Sequence, residues 1–119
     1  MNAKNFIRTD GKHNVLHLHL TVLVFQQEEY YVSFCPALQL SSYGDSVQEA
    51  KNGFDDVMKD YIEEGTKKGT LHDDLVSHGW VFSVIHNQNK IEPPAKVELN
   101  IPAGLLKTQF SEKWDVPVH

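Results

Sequence analysis

The chain has 119 residues and a net charge of −5 at pH 7, with 40% hydrophobic and 23% charged residues. A chain of this length can form one domain with a core that needs no disulfide or metal, and the single Cys35 excludes an internal disulfide. No apolar run approaches the ~20 residues that a membrane-spanning helix requires, and the polar start lacks a signal peptide's apolar core. These features predict a cytoplasmic protein that does not enter a membrane.

The negative charge is concentrated in the middle of the chain. Residues 1–14 contain three basic residues against one acid, residues 15–85 contain eleven acids against four lysines, and residues 86–119 are neutral. Such an acidic body repels phosphate and attracts a basic protein partner. The alternative is that the acids only solvate a helix surface.

The first predicted elements are β-strands. Residues 15–25 alternate between two faces, with Leu and Val on one face and His17, His19 and Thr21 on the other, which is typical of a strand buried on one side. The 14 residues before it are predicted to be flexible or an edge extension. A polar turn then leads to a second strand at residues 30–34, and Leu38 and Leu40 indicate a short third strand beyond Pro36.

A long amphipathic helix follows a turn at residues 41–45. Ser46 and Glu49 match a capping box, although Asp45 is an alternative cap. In the turn, Gly44 supplies either an unusual backbone angle or a close approach that a side chain would prevent. Within the helix, Gly53 costs stability and is therefore predicted to permit close packing. The apolar residues recur at helical spacing and must cover the sheet: Ala50, Phe54, Val57, Met58, Tyr61 and Ile62.

The long helix is predicted to end between Gly65 and Gly69. A second cap signal at residues 70–73 opens a short helix, Gly79 is placed to stop it, and residues 80–85 form another strand. The predicted fold class is therefore α+β: a small antiparallel or mixed sheet in β-β-β-α-α-β order, with one long helix on one face. Residues 1–85 form this domain, and residues 86–119 form a linker and a short C-terminal extension.

The C-terminal segment has two interpretations. An alternating strand at residues 96–101, followed by Pro102 and a turn of helix through Leu105, Leu106 and Phe110, resembles the opening of a ribbon-helix-helix module. Paired strands of that module enter the major groove, so Lys96, Glu98 and Asn100 would face operator DNA. The segment is short and neutral for this module, which favours the alternative: an extra strand and turn packed on the domain or on a second subunit.

The sequence contains no strong catalytic, cofactor-binding or metal-binding motif. Each candidate has a simpler structural interpretation: a half-exposed strand pair for two histidines, packing for the thiol, and a solvated helix face for the carboxylates (His17, His19, Cys35, Asp55, Asp56 and Asp60). The sequence therefore predicts a protein that is not an enzyme. The exposed edges of a small sheet also predict a homo-oligomer.

The order of these signals resembles the HicB-type antitoxin family. The resemblance covers residues 15–85 and is most specific in FCPAL at residues 34–38, YGDS at residues 43–46, and EA at residues 49–50. GTL at residues 69–71 and HGW at residues 78–80 are similar to the longer members.

The resemblance implies a partial RNase H-like fold that lacks the nuclease carboxylates. It also implies binding to a small basic HicA-type toxin, an mRNA-cleaving enzyme with a double-stranded-RNA-binding-like fold, whose catalytic histidine the antitoxin covers. Many members repress their own operon through a C-terminal DNA-binding module. This tail departs from both known kinds of module.

Overall fold

The computed structural model describes residues 5–10, 13–85, 88–94 and 104–118. These ranges contain seven strands and two helices in the following chain order: β1 (Phe6–Asp10), β2 (His13–Gln27), β3 (Tyr30–Cys35), β4 (Leu40–Gly44), α1 (Val47–Lys68), α2 (Leu71–Ser77), β5 (Val81–Ile85), β6 (Gln88–Glu92) and β7 (Leu106–Val118).

Strand β2 is the centre of one antiparallel sheet. Strand β7 pairs with it along almost its whole length, from Asn14 opposite Val118 to Phe25 opposite Leu106. The other edge of β2 pairs with β1 at its start and with β3 at its end. Strand β4 extends the sheet beyond β3, while β6 and β5 extend it beyond β1. The α+β class is therefore confirmed for the described residues.

Both helices lie on one face of this sheet. The predicted alternation in β2 is confirmed, because its even-numbered Leu and Val residues from Leu16 to Val24 are buried. Those from Leu16 to Val22 belong to a core cluster that includes residues of both helices: Phe54, Met58, Leu71 and Leu75. The buried Ser33 hydroxyl donates to the Ala50 carbonyl at 2.7 Å, which fixes the side of β3 that faces α1. The side chains that alternate away from the helices form what we call the open sheet face.

The boundaries of α1 follow its sequence signals. Ser46 is the N-cap, and its hydroxyl accepts from the Glu49 backbone N–H at 3.1 Å. The Glu49 carboxylate accepts from the Asp45 backbone N–H at 2.7 Å, one residue before the cap, so Asp45 is a member of the capping network and not the cap itself. At the other end, Gly69 adopts a left-handed conformation (φ 66°) and caps the helix.

Gly53 permits the close packing of α1 against β4 that the sequence predicts. A Cβ atom at this position would lie 2.3 Å from Oγ of Ser42. The glycine therefore lets the helix approach the last strand before it, and the tight contact holds that strand under α1.

Three predictions about individual segments of the sheet are wrong. The third strand is β4, so it includes most of the predicted turn at residues 41–45. Phe6–Asp10 is a strand between β2 and β6 and not a flexible or edge segment. Part of the predicted linker, Gln88–Glu92, is β6, because its backbone pairs with β5.

The largest difference is at the C-terminus. The predicted turn of helix through Leu105, Leu106 and Phe110 is wrong, because β7 runs from Leu106 to Val118 as the longest partner of β2. Extended pairing with β2 buries Val116 and packs Phe110 and Trp114 against the core. The strand at residues 106–118 is therefore one that the sequence did not predict. The predicted strand at residues 96–101 lies outside the described residues.

Candidate functional site

A cleft opens between the C-terminal half of α1 and the start of α2. Its volume is about 700 Å³. The turn at Gly69 and Thr70 sends α2 back alongside α1, because the left-handed Gly69 reverses the chain at the helix end. We call this the acidic cleft; it is lined by Leu40, Val57, Asp60, Tyr61, Glu63, Glu64, Gly65, Lys68, Thr70, Leu71 and Asp74.

Carboxylates dominate the charge of the acidic cleft. Four acids line it against one lysine, and Lys68 is ion-paired with Glu64 at 2.8 Å across one helical turn. Both partners of that pair are exposed, so the pair neutralises little of the field at the other carboxylates. Val57 and Leu71 add apolar atoms to the same lining. The arrangement suits a cationic side chain with an apolar stem, such as lysine or arginine.

One wall of the acidic cleft is held by a hydrogen bond between the two helices. The Tyr61 hydroxyl donates to the Asp74 carboxylate. Burial and this neighbouring carboxylate raise the pKa of Tyr61 well above its usual range, so the hydroxyl stays protonated and remains a donor. His78 also contacts this carboxylate at 3.5 Å. Asp74 therefore holds α2 against α1, whereas Asp60 and Glu63 have no such structural contact among the described residues.

A second carboxyl group with an unusual environment lies where α1 meets β7. Glu112 accepts a hydrogen bond from Nε1 of Trp114 at 2.7 Å. Burial and a hydrogen bond with Asp55 raise the pKa of Glu112 to about 7, and the Trp114 bond opposes this shift. Glu112 is therefore protonated below about neutral pH and can then donate to the Asp55 carboxylate.

Stability is expected to depend on the protonation of Glu112. Its folded-state pKa lies above the ordinary value of 4.5, so its contribution is fully present below pH 4.5 and is lost as the pH rises through about 7. Because the carboxyl group is only partly buried, we expect a loss of about 1 kcal/mol across this range. Denaturant unfolding at several pH values should therefore show Glu112→Gln more stable than wild type at pH 8.

The control for this pH dependence is Glu28→Gln, which removes one carboxylate on the exposed β2–β3 turn. The free energy of unfolding of Glu112→Gln, relative to wild type, should rise from pH 4.5 to pH 8. The corresponding difference for Glu28→Gln should stay small. A difference for Glu112→Gln that does not change with pH would contradict the proton held between Asp55 and Glu112.

The open sheet face carries an apolar patch. By strand register, Leu23 and Phe25 of β2 lie beside Phe34 and Val32 of β3, and Tyr43 of β4 lies beside Val32. Tyr30 and Leu106 extend this group, because they pair with Gln27 and Phe25. We call it the aromatic patch: Leu23, Phe25, Tyr30, Val32, Phe34, Tyr43 and Leu106.

The candidate residues singled out in the sequence do not converge on one site. Lys96, Glu98 and Asn100 lie outside the described residues, so their predicted place in a DNA-reading strand stays a prediction. His17 lies on the open sheet face and forms an ion-pair contact with Asp115 of β7, while the His19 backbone N–H donates to Asn5 at 2.7 Å.

The remaining candidates separate as well. Asp60 lines the acidic cleft, Asp55 turns toward Glu112, and Asp56 is exposed outside both groups. Cys35 is buried, and burial raises the pKa of its thiol, which keeps it protonated. Across the described ranges, no three His, Cys, Asp or Glu side chains are grouped so that they could hold a metal ion.

Comparison of this chain with protein-family models, with curated proteins and with solved structures finds no match. Neither helix of the described ranges is long and apolar enough to cross a membrane.

Proposed function

We propose that this chain is a cytoplasmic, non-catalytic antitoxin of the HicB type, which binds and neutralises a small basic mRNA-cleaving toxin. The observation that carries the proposal is the acidic cleft, where four carboxylates and apolar atoms line one accessible volume. A basic partner would be steered by the acidic helices and anchored by a lysine or arginine in the cleft.

The order of sequence motifs supports the same proposal. The resemblance to the HicB-type family covers the β2–β3–β4–α1 unit and α2, and three of these elements, β4, α1 and α2, line the acidic cleft. The proposal includes a HicB-like, partial RNase H-like arrangement of this unit. In this chain β7 pairs with β2, and the strand after the helices, β5, pairs with β6.

The first experiment is an affinity pull-down of the tagged full chain from its own organism at low salt, read by mass spectrometry. We expect a basic protein of low mass that is released at high salt, because exposed charge pairs are screened by ions. Recovery of the bait alone, with no basic partner, would count against the antitoxin function.

The acidic cleft is tested by comparing two double variants in a binding titration with the captured partner. Asp60→Asn with Glu63→Gln removes two cleft charges, and we expect the Kd to rise at least about tenfold. Asp56→Asn with Asp73→Asn removes two exposed charges outside the cleft lining and is the matched control. An equal rise in Kd for both double variants would mean that overall charge attracts the partner and that the cleft does not bind it.

A further inference from the structure

The residues of the aromatic patch form one continuous apolar area, unlike apolar side chains that are exposed singly on a protein surface. Tyr43 is 66% exposed, Tyr30 52% and Leu106 46%, and they lie on three different strands around the nearly buried Val32. With the partly buried Phe25, Phe34 and Leu23, these residues present an apolar area on the order of 500 Å². A patch of this size, surrounded by polar strand residues, approaches the roughly 800 Å² that each partner contributes to a stable dimer.

We propose that the open sheet face is the surface on which a second copy of this chain docks, sheet against sheet. The aromatic patch would form the apolar centre of this homodimer. Thr21, Gln109 and Ser111 lie on the same face by register and would form its polar rim. The two sheets would pack about 10 Å apart, as in a β-sandwich.

The charge distribution favours a second copy over a basic partner on this face. Helices α1 and α2 together contain eight acids against four lysines, and all of them lie on the opposite side of the sheet. Along residues 15–25, 30–34, 41–43 and 109–115, the open sheet face presents two charged residues of opposite sign, Lys113 and Asp115. A basic protein would find little to pair with here, whereas a nearly neutral apolar surface is complementary to itself.

Docking of the open faces also separates the acidic layers. Each helical layer would lie on the outside of its own sheet, so the two layers would be separated by both sheets. This distance exceeds the Debye length of about 8 Å at physiological ionic strength, so repulsion between the two acidic layers is screened. The homodimer does not depend on the proposed antitoxin function, because the acidic cleft remains exposed on each outer side.

Sedimentation equilibrium of the purified full chain over a range of micromolar concentrations tests the proposal. We expect a reversible dimer for wild type, and a dimer Kd at least about tenfold higher for Tyr43→Lys, because a lysine would be buried in the apolar centre. Tyr43→Lys also lowers the net negative charge, so weaker association could not result from greater overall repulsion.

Val76→Lys is the matched control, since Val76 is 48% exposed on α2, away from the open sheet face. Its dimer Kd should change less than about twofold, and circular dichroism should show both variants folded.

Leu106→Lys provides a second variant on the open sheet face. A wild-type chain that stays monomeric would overturn the proposal, and so would a dimer that tolerates Tyr43→Lys and Leu106→Lys. A monomeric wild type would mean that the aromatic patch binds a different protein. A dimer that tolerates both variants would mean that the dimer interface lies elsewhere.

Discussion

Replacing Trp80 with alanine is expected to reduce the free energy of unfolding by about 5 kcal/mol, because the change opens a large cavity and removes a hydrogen bond. Trp80 is 2% exposed and belongs to the core cluster that joins the helices to β2. Its indole Nε1 donates to the Ala37 carbonyl at 2.8 Å, which ties the start of β5 to the turn before β4. Since small domains are stable by about 5–15 kcal/mol, this loss would remove about a third or more of the free energy of unfolding.

Trp80→Phe separates the two contributions. Phenylalanine fills most of the cavity but leaves the Ala37 carbonyl without its donor, so we expect a loss of about 2–3 kcal/mol in urea unfolding followed by circular dichroism. The control is Trp114→Phe, because Trp114 is half-buried on β7 and its indole donates to a side chain at 2.7 Å. If both phenylalanine variants lose the same free energy of unfolding, the buried hydrogen bond to Ala37 stabilises the protein no more than the half-buried one of Trp114.

The elements that were predicted well from the sequence are those with local signals. Apolar residues alternate along β2 because one face of the strand is buried, so its two faces could be assigned from the sequence alone. Helix α1 has Ser46 at one end and Gly69 at the other, and both caps depend on residues adjacent in the chain. The order β-β-β-α-α-β therefore corresponds to the observed β2–β3–β4–α1–α2–β5.

The missed strands are defined by distant partners. Strand β7 contains a run of polar residues, Ser111–Lys113, and carries Pro117 near its end, so its own sequence gives a weak strand signal. Its extended form comes from pairing with β2, about 90 residues earlier, which no local pattern can reveal. Strands β1 and β6 are five residues each and become regular by pairing with each other, β1 also with β2 and β6 also with β5.

The candidate site was only partly predictable for a similar reason. Composition shows that the middle of the chain is acidic, but it does not show which acids meet. Asp60 and Asp74 line one cleft because Gly69 turns α2 back along α1. Asp55 lies one turn earlier on α1 and faces Glu112, a contact that requires β7 to be in place. The acidic cleft therefore follows from tertiary geometry, while its charge follows from the sequence.

Gly44→Ala is expected to destabilise the protein by about 3 kcal/mol, because an added methyl group has no space at the junction of β4 and α1. A Cβ atom here would lie 2.5 Å from the backbone nitrogen of Ala50 and 2.7 Å from the carbonyl carbon of Glu49. Both atoms belong to the first turn of the helix, so relief requires the helix to move. Of the two reasons that the sequence leaves open for this glycine, the close approach is confirmed, since Gly44 is not among the glycines with positive φ.

The control for this glycine is Ser41→Ala, an exposed position of β4 on the open sheet face, where we expect a change of about 0.5 kcal/mol or less. Thermal and urea unfolding of both variants would measure the difference. A Gly44→Ala protein as stable as Ser41→Ala would mean that the start of α1 can shift without cost. Strand β4 leads into α1 through two residues, Asp45 and Ser46, so such a shift would also disturb the cap at Ser46. A rigid junction therefore predicts that the loss in Gly44→Ala exceeds the roughly 1 kcal/mol typical of losing an N-cap alone.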